Sequence, residues 1–389
     1  DADFRVEIQN VGRASKTDVV LCYMDGRVDQ QLLGEIRKRL QTVDVDALRR
    51  AYDSLEFVRA EQHKNKDYSL ARDTSGEYVF TDGLAGRIDL EKAFLALKQI
   101  VENGQETLNL QESGCYYEIT PDESQKALRN LWKEIERFQT CDIVYCFGEE
   151  RHPMTAADCA FFLTAENGLP VQDEKGSFVL DEEAVTAYVQ SLAEEYDGYG
   201  RTRQFHSTRG DVITIDGGTY GSKMDRKKET AYLLEHLLDP GVHTGTPQSH
   251  IPSYEREAFC YGKNDIGDTY IEVDMTEQKM YYYEKGVLKL ETEIVTGNMR
   301  RRMGTPEGVN FVYNKQKNRV LRGPGYASPV KFWMPVKGGI GIHDAGWRKE
   351  FGGDIYQTAG SHGCINTPKD KMEELYDMVQ IGTPVVMFY

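Results

Sequence analysis

An internal repeat constrains this chain more than any other feature. The run Val43-Asp44-Val45-Asp46-Ala47-Leu48, continuing to Leu55, returns as Leu180-Asp181-Glu182-Glu183-Ala184-Val185, continuing to Leu192. Each copy reads as the opening of a helix. Farther along, Tyr78-Val79-Phe80-Thr81-Asp82-Gly83, with Gly86 and Asp89, is matched by Val212-Ile213-Thr214-Ile215-Asp216-Gly217, with Gly221 and Asp225. Both read as a strand, an Asp-Gly turn and then a helix, from Leu90 to Val101 in one copy and Arg226 to Leu238 in the other. The offset is 137 residues at the first match and 134 at the second, a drift that loops absorb. Two copies of one α+β unit are therefore expected, and 389 residues leave room for a further domain with its own core.

The last third of the chain has a different texture. Between residues 268 and 342 short alternating strands are separated by Gly-rich turns, as in Lys279-Met280-Tyr281-Tyr282-Tyr283, ended by Glu284-Lys285-Gly286, and in Phe311-Val312-Tyr313. This pattern favours a mainly β, sandwich-like or barrel-like domain. Near the end, Thr367 is placed to N-cap a helix, with Pro368 at its first position and Asp370 completing a capping box. Met372, Leu375, Tyr376 and Val379 recur at helical spacing, Gly382 stops the helix, and Pro384 to Tyr389 reads as a closing strand. The stretch from Asp239-Pro240 to Pro252 reads as a linker, with His243 and His250 as polar linker residues. The expected organisation is residues 1–120 and 121–258 as two α+β repeat domains, followed by a mainly β domain over 259–389.

Chemistry concentrates in two short runs, Ile342-His343-Asp344 and Ser361-His362-Gly363-Cys364-Ile365-Asn366. A thiol becomes a useful nucleophile at neutral pH only with a base or a positive field nearby. His343 lies 21 residues before Cys364 and His362 two before it, with Asp344 beside the first histidine as a candidate orienting group. Taken singly, a cysteine is most often a small buried hydrophobe. The alternative of a metal site lacks support, because no Cys-x-x-Cys or His-Glu-x-x-His run supplies the remaining ligands. Neither a metal nor a cofactor is expected. Gly363 lets the chain turn tightly, and the N–H groups of Gly363 and Cys364 are candidate oxyanion donors. Asn366 reads as structural, its amide bonding nearby backbone.

The span from His343 through seventeen residues to Ser361-His362-Gly363-Cys364-Ile365-Asn366 resembles the signature of the L,D-transpeptidases of bacterial cell walls, the YkuD-type catalytic domain. The resemblance covers roughly residues 266–389 and includes Tyr270-Ile271-Glu272-Val273-Asp274, Thr296-Gly297 and Thr305-Pro306-Glu307-Gly308. It implies that Cys364 attacks a peptide carbonyl to give a thioester and that His343 is the general base. Asp344 would fix the histidine tautomer through its carboxylate or its carbonyl, and His362 would orient or contact substrate. A thiolate–imidazolium pair is expected to lower the pKa of Cys364 and raise that of His343. Tyr326, Trp333 and Trp347 surround the motif and are candidate walls of a substrate groove, while Arg300-Arg301-Arg302 reads as a solvated basic loop that could meet stem-peptide carboxylates.

By the same resemblance the partners are peptidoglycan stem peptides. The donor would be a tetrapeptide cut after its third, diamino residue with loss of D-Ala, and the acceptor amine would give 3→3 cross-links. Carbapenem-type β-lactams would acylate Cys364. The alternatives are an L,D-carboxypeptidase, in which water resolves the same thioester, and a non-catalytic wall-binding scaffold. The two repeats resemble peptidoglycan-binding domains that precede this catalytic domain in Gram-positive bacteria, or else they are spacers.

Composition narrows the partners. With 63 acidic against 47 basic residues the net charge is −16, which argues against nucleic acid and against general adhesion to anionic polymers or lipid headgroups. No run of 18 apolar residues provides a membrane span. A chain that starts at Asp1 is expected to act outside the cell, in the wall or tethered through a segment this sequence does not contain. Of seven cysteines, Cys364 is expected to stay free; Cys22, Cys115, Cys141, Cys146, Cys159 and Cys260 show no disulfide framework and are expected as unpaired thiols.

Overall fold

The structure, a computed structural model, describes residues 6–10, 19–23, 45–103, 107–118, 120–323 and 326–389. Val43 and Asp44 of the first repeat, and the side chains of Cys22 and Tyr326, lie outside the described residues. The chain divides into two compact units. One comprises residues 1–137 with 167–169, and the other residues 138–166 with 170–389.

Within the first unit the helices Val45–Ser54, Glu56–His63 and Leu90–Asn103 bury Leu48, Tyr52, Val58, Phe94 and Leu97 in one core. The hairpin Tyr68–Arg72 and Tyr78–Asp82 stands beside them in sequence, and Tyr52 donates its hydroxyl hydrogen to the Leu90 carbonyl at 2.9 Å. The second unit repeats these parts. Glu182–Tyr196 is its first helix, Arg203–His206 pairs with Val212–Ile215, and Arg226–His236 follows.

The repeat extends to hydrogen-bond detail. In both hairpins a five-residue turn closes the same way: Asp73 N–H to Glu77 and Gly76 N–H to Asp73 in one, Ser207 N–H to Asp211 and Gly210 N–H to Ser207 in the other. Asp89 accepts from Lys92 N–H at 3.1 Å, as Asp225 accepts from Lys228 N–H at 3.2 Å, so the same acid caps the same helix in each copy. The copies differ where Leu55, in extended backbone, breaks the first helix in two; its counterpart is continuous.

The expected linker is not a loose one. Gln248–His250 pairs in parallel with Ile143–Phe147, His250 Nε2 lies 2.7 Å from the buried Glu229 carboxylate, and His243 Nε2 lies 2.7 Å from the Leu237 carbonyl. A Gly- and Pro-rich composition disguised a short strand that pairs with one distant in sequence.

The mainly β segment belongs to the same compact unit as the second repeat. Its strands are β1 (Tyr270–Asp274), β2 (Lys279–Glu284), β3 (Val287–Glu293), β4 (Gly308–Phe311), β5 (Gln316–Gly323), β6 (Tyr326–Lys337), β7 (Ile340–Asp344), β8 (Ile365–Thr367) and β9 (Pro384–Phe388). Two short helices complete it, α1 (Ile355–Ala359) and α2 (Lys369–Met378). One sheet has the order β3-β2-β1-β9-β4 and the other β5-β6-β7-β8. Pairing is antiparallel except for β1 with β9 and β7 with β8. Inward residues of both sheets, among them Ile271, Tyr282, Phe332, Met334, Ile342 and Met387, share one core with Met372 and Leu375 of α2. The sequence pattern of two α+β repeats followed by a sandwich-like β domain is the observed fold class.

A buried ion pair joins the second repeat to this sandwich. Arg203 donates to Asp265 twice, from Nε at 2.8 Å and Nη2 at 2.6 Å, with both side chains almost fully buried. Nearby, Thr208 Oγ1 donates to Glu272 at 2.6 Å and Arg209 Nη1 to Asp274 at 3.1 Å, both acceptors lying on β1. The carboxylates on this strand are thus held by the preceding repeat.

Candidate active site

Strand pairing brings the two chemical runs together. β7 and β8 lie side by side in parallel register, Ile342 opposite Ile365 and His343 opposite Asn366, so the residue just before β8, Cys364, lies beside the β7 strand that ends in His343-Asp344. A cavity of about 200 Å³ is lined by His343, Cys364, His362, Ser361, Trp347 and Arg348, among others. Cys364, His343 and His362 therefore converge as expected from their spacing.

His343 is only 3% exposed. Its ring is flanked by Trp333 and Trp347, with centroid separations of 5.8 and 5.9 Å. Its Nδ1 lies 2.9 Å from the Asp344 carbonyl oxygen. A carbonyl only accepts, so Nδ1 carries the hydrogen and the neutral ring leaves Nε2 as its proton acceptor. Of the two options open for Asp344, it is the carbonyl that holds the histidine. The carboxylate is engaged elsewhere, accepting the Phe332 N–H at 2.7 Å and so tying β7 to β6.

The expected ion pair is not what the surroundings favour. Burial lowers the pKa of His343, against smaller opposing contributions from the Asp344 carbonyl and carboxylate. Burial also raises that of Cys364, against a hydrogen bond from the Gly341 N–H. Desolvation penalises both charged forms, so burial works against a thiolate–imidazolium pair at rest. The thiol accordingly points its weak donor at the Gly339 carbonyl, 3.8 Å away. These two proton arrangements contain the same number of protons, so a rate–pH profile does not distinguish them. A spectrum does. The thiolate absorbance near 240 nm, taken as the difference between the parent and Cys364→Ala, is expected to be absent at pH 7 and to rise only above the ordinary cysteine value of 9.0. A full thiolate band at pH 7 would restore the ion pair.

The turn that presents Cys364 is built around Ser361. Its Oγ donates to the Cys364 carbonyl at 2.6 Å and accepts the Gly363 N–H at 3.0 Å. This corrects the expectation for Gly363: its N–H is engaged inside the turn, so it is not an oxyanion donor in this geometry. Its role lies in its φ of +113°, which other residues rarely adopt. Thr305 Oγ1 donates to the Gly363 carbonyl at 2.8 Å and accepts the Gly297 N–H at 2.9 Å, bracing the turn from below. Gly341 is required by close approach, since a Cβ there would lie 2.5 Å from the Met334 carbonyl oxygen and 2.7 Å from the Trp333 ring.

The remaining expectations separate. Trp347 lines the cavity and is 52% exposed, in keeping with a groove wall. Trp333 is buried behind His343, so it packs the imidazole in place and does not form part of the wall. Tyr326 opens β6, and its side chain lies outside the described residues. Arg300, Arg301 and Arg302 are exposed and contribute nothing to the cavity lining. Thr367 belongs to β8 and does not cap α2; the cap position falls to Pro368, which has no side-chain donor or acceptor. Cys364 thus leads into a short strand before the helix. The six described cysteines, Cys364 among them, are free thiols. Arg348, which the sequence reading passed over, lines the cavity. The signal available was its position, an arginine beside a tryptophan in the segment joining the two chemical runs.

Residues 268–387 match the family model YkuD, the L,D-transpeptidase catalytic domain. Residues 165–241 match a model described as "Putative peptidoglycan binding domain". Residues 1–70 match one for the Bacillus/Clostridium GerA spore germination protein. Among solved structures, the crystal structure of a cysteine-to-serine mutant of Enterococcus faecium L,D-transpeptidase is 35% identical, with 67% of this chain and 100% of that chain covered and a TM-score of 0.57. The structure of the Ldtfm–avibactam carbamoyl enzyme is likewise 35% identical, covering 67% of this chain and 99% of that one with a TM-score of 0.58. The catalytic domain from E. faecium L,D-transpeptidase acylated by ertapenem, solved by NMR, is 51% identical over 31% of this chain and 98% of that one, with a TM-score of 0.29. No curated protein matches the chain.

Proposed function

This chain belongs to the L,D-transpeptidase family, and from that premise we propose that it forms 3→3 cross-links in peptidoglycan through a thioester on Cys364. The observation that carries the reading is the single cavity holding Cys364 with a histidine whose Nδ1–H is committed to a carbonyl. As Cys364 sulfur bonds to the carbonyl carbon after the third residue of a tetrapeptide stem, its proton passes to His343 Nε2. The tetrahedral intermediate collapses by breaking the C–N bond, and the same proton leaves on the amine of D-Ala. A side-chain amine of a second stem then attacks the thioester, gives its proton to His343, and displaces the sulfur, which recovers that proton. His362 and Trp347 line the substrate side of this path.

The matched peptidoglycan-binding model over 165–241 supports wall contact by the second repeat, and the repeat symmetry extends that role to the first. Such a substrate places the protein outside the cytoplasm, at the wall. Carbapenem-type β-lactams are expected to open on Cys364 and add their mass to the protein.

The test is to incubate the parent and Cys364→Ala with a disaccharide-tetrapeptide and follow products by mass spectrometry. A dimer lacking one D-Ala, formed by the parent alone, is the expected product. Tripeptide without dimer would make the enzyme a carboxypeptidase, and no turnover of any diamino type would leave a wall-binding scaffold.

A further inference from the structure

The cavity around Cys364 contains one permanent cation, Arg348, and no carboxylate among its lining residues. Arg348 follows β7 in a turn closed by its own N–H on the Ala345 carbonyl at 2.9 Å. Its Nη2 donates to the Ala359 carbonyl, the last of α1, also at 2.9 Å. Its Nε is buried and has no hydrogen-bond partner among the described residues. Burial lowers the pKa of this guanidinium, and no acidic side chain opposes that. A buried charged donor left without an acceptor is costly, and a guanidinium fork is shaped for a carboxylate. The unpaired group therefore describes its missing partner: an anion that arrives with the substrate.

We propose that Arg348 is a specificity-determining residue that receives the free C-terminal carboxylate of the donor stem, the carboxylate of the D-Ala that departs; this rests on the transpeptidase reading above. Reach agrees. The carboxylate lies one residue beyond the carbonyl that Cys364 attacks, and a cavity of about 200 Å³ is roughly 7 Å across, about two residue repeats of extended chain. A stem extended by one more residue presents an amide there in place of the anion, as does a stem capped as a carboxamide. Each replaces the charged, two-oxygen acceptor with a neutral amide that has one acceptor oxygen and an N–H, so the guanidinium loses its counter-ion while the space is filled. Selection for a donor that ends at its fourth residue follows from this one side chain.

The test compares a tetrapeptide donor with its C-terminal carboxamide, on the parent and on Arg348→Gln. The parent is expected to favour the free acid by about 10²-fold in kcat/KM, the scale of a lost charge-assisted hydrogen bond at a buried site. Arg348→Gln is expected to slow far more on the acid than on the carboxamide, so that the ratio of the two falls toward one, and Arg348→Lys to restore part of it. Equal turnover of acid and carboxamide by the parent overturns the assignment without any variant, and so does an equal loss on both substrates in Arg348→Gln. If the parent turns over neither, the transpeptidase reading itself falls and takes this assignment with it.

Discussion

Replacing His343 with Gln is expected to lower kcat/KM for a tetrapeptide donor roughly 10³-fold, the middle of the range for a positioned general base and about 4 kcal/mol of barrier. The size follows from the resting state. Burial raises the Cys364 pKa and lowers that of His343, which disfavours a preformed thiolate. Proton transfer must accompany attack, and Gln cannot accept the proton. Single-turnover acylation by a carbapenem, read by intact mass, measures the effect directly, and acylation within tenfold of the parent would remove His343 from the role proposed for it. Asp344→Asn is the informative contrast. The carbonyl that holds Nδ1 is backbone, and Asn can still accept the Phe332 N–H, so the variant should stay within tenfold of the parent. In enzymes where a carboxylate itself orients the histidine, the same change costs about 10⁴. A loss of that size here would return the orienting role to the side chain.

Asp265→Ala is expected to destabilise the second unit by about 3–5 kcal/mol, because it leaves the Arg203 guanidinium buried without its counter-ion. Domains are stable by only about 5–15 kcal/mol, so this is a large fraction of the total. For a unit of this size the loss corresponds to a fall in Tm of roughly 6–20 °C. Because Arg203 lies in the second repeat and Asp265 at the entry to the sandwich, both parts should melt together, before and after the substitution. Differential scanning calorimetry that resolved two transitions, one unaffected by Asp265→Ala, would show that the repeat and the sandwich fold independently.

The chemistry of Cys364 and His343 was legible because both are rare, chemistry-bearing types at a fixed spacing, whereas their adjacency came from strand pairing. The repeat was legible for a related reason, since turn glycines and capping acids are dictated locally. What escaped the sequence depended on contacts between distant residues. Nothing in Ser361 announces that its hydroxyl uses up the Gly363 N–H, and the sense of the Cys364 and His343 shifts depends on how completely the site is desolvated. Trp333 and Trp347 look alike in sequence, yet one packs behind the imidazole and the other faces solvent. Thr367 has every property of a helix cap and is instead drawn into β8, because pairing with β7 extends to the last residue that can still reach it. Arg348 draws attention only once its Nε is seen to lack an acceptor.

The parallel pairing of β7 with β8 separates two things that usually evolve together. Register alone sets where the imidazole meets the sulfur, so the length of chain between the two strands is free of that duty. That stretch, residues 345–360, carries Trp347, Arg348 and Gly360, which line the cavity around Cys364. Insertions or exchanges within it are expected to reshape the cavity wall while Cys364 and His343 keep their register. The loop is in effect an interchangeable mould beside a fixed nucleophile, and the place to start when reshaping the cavity.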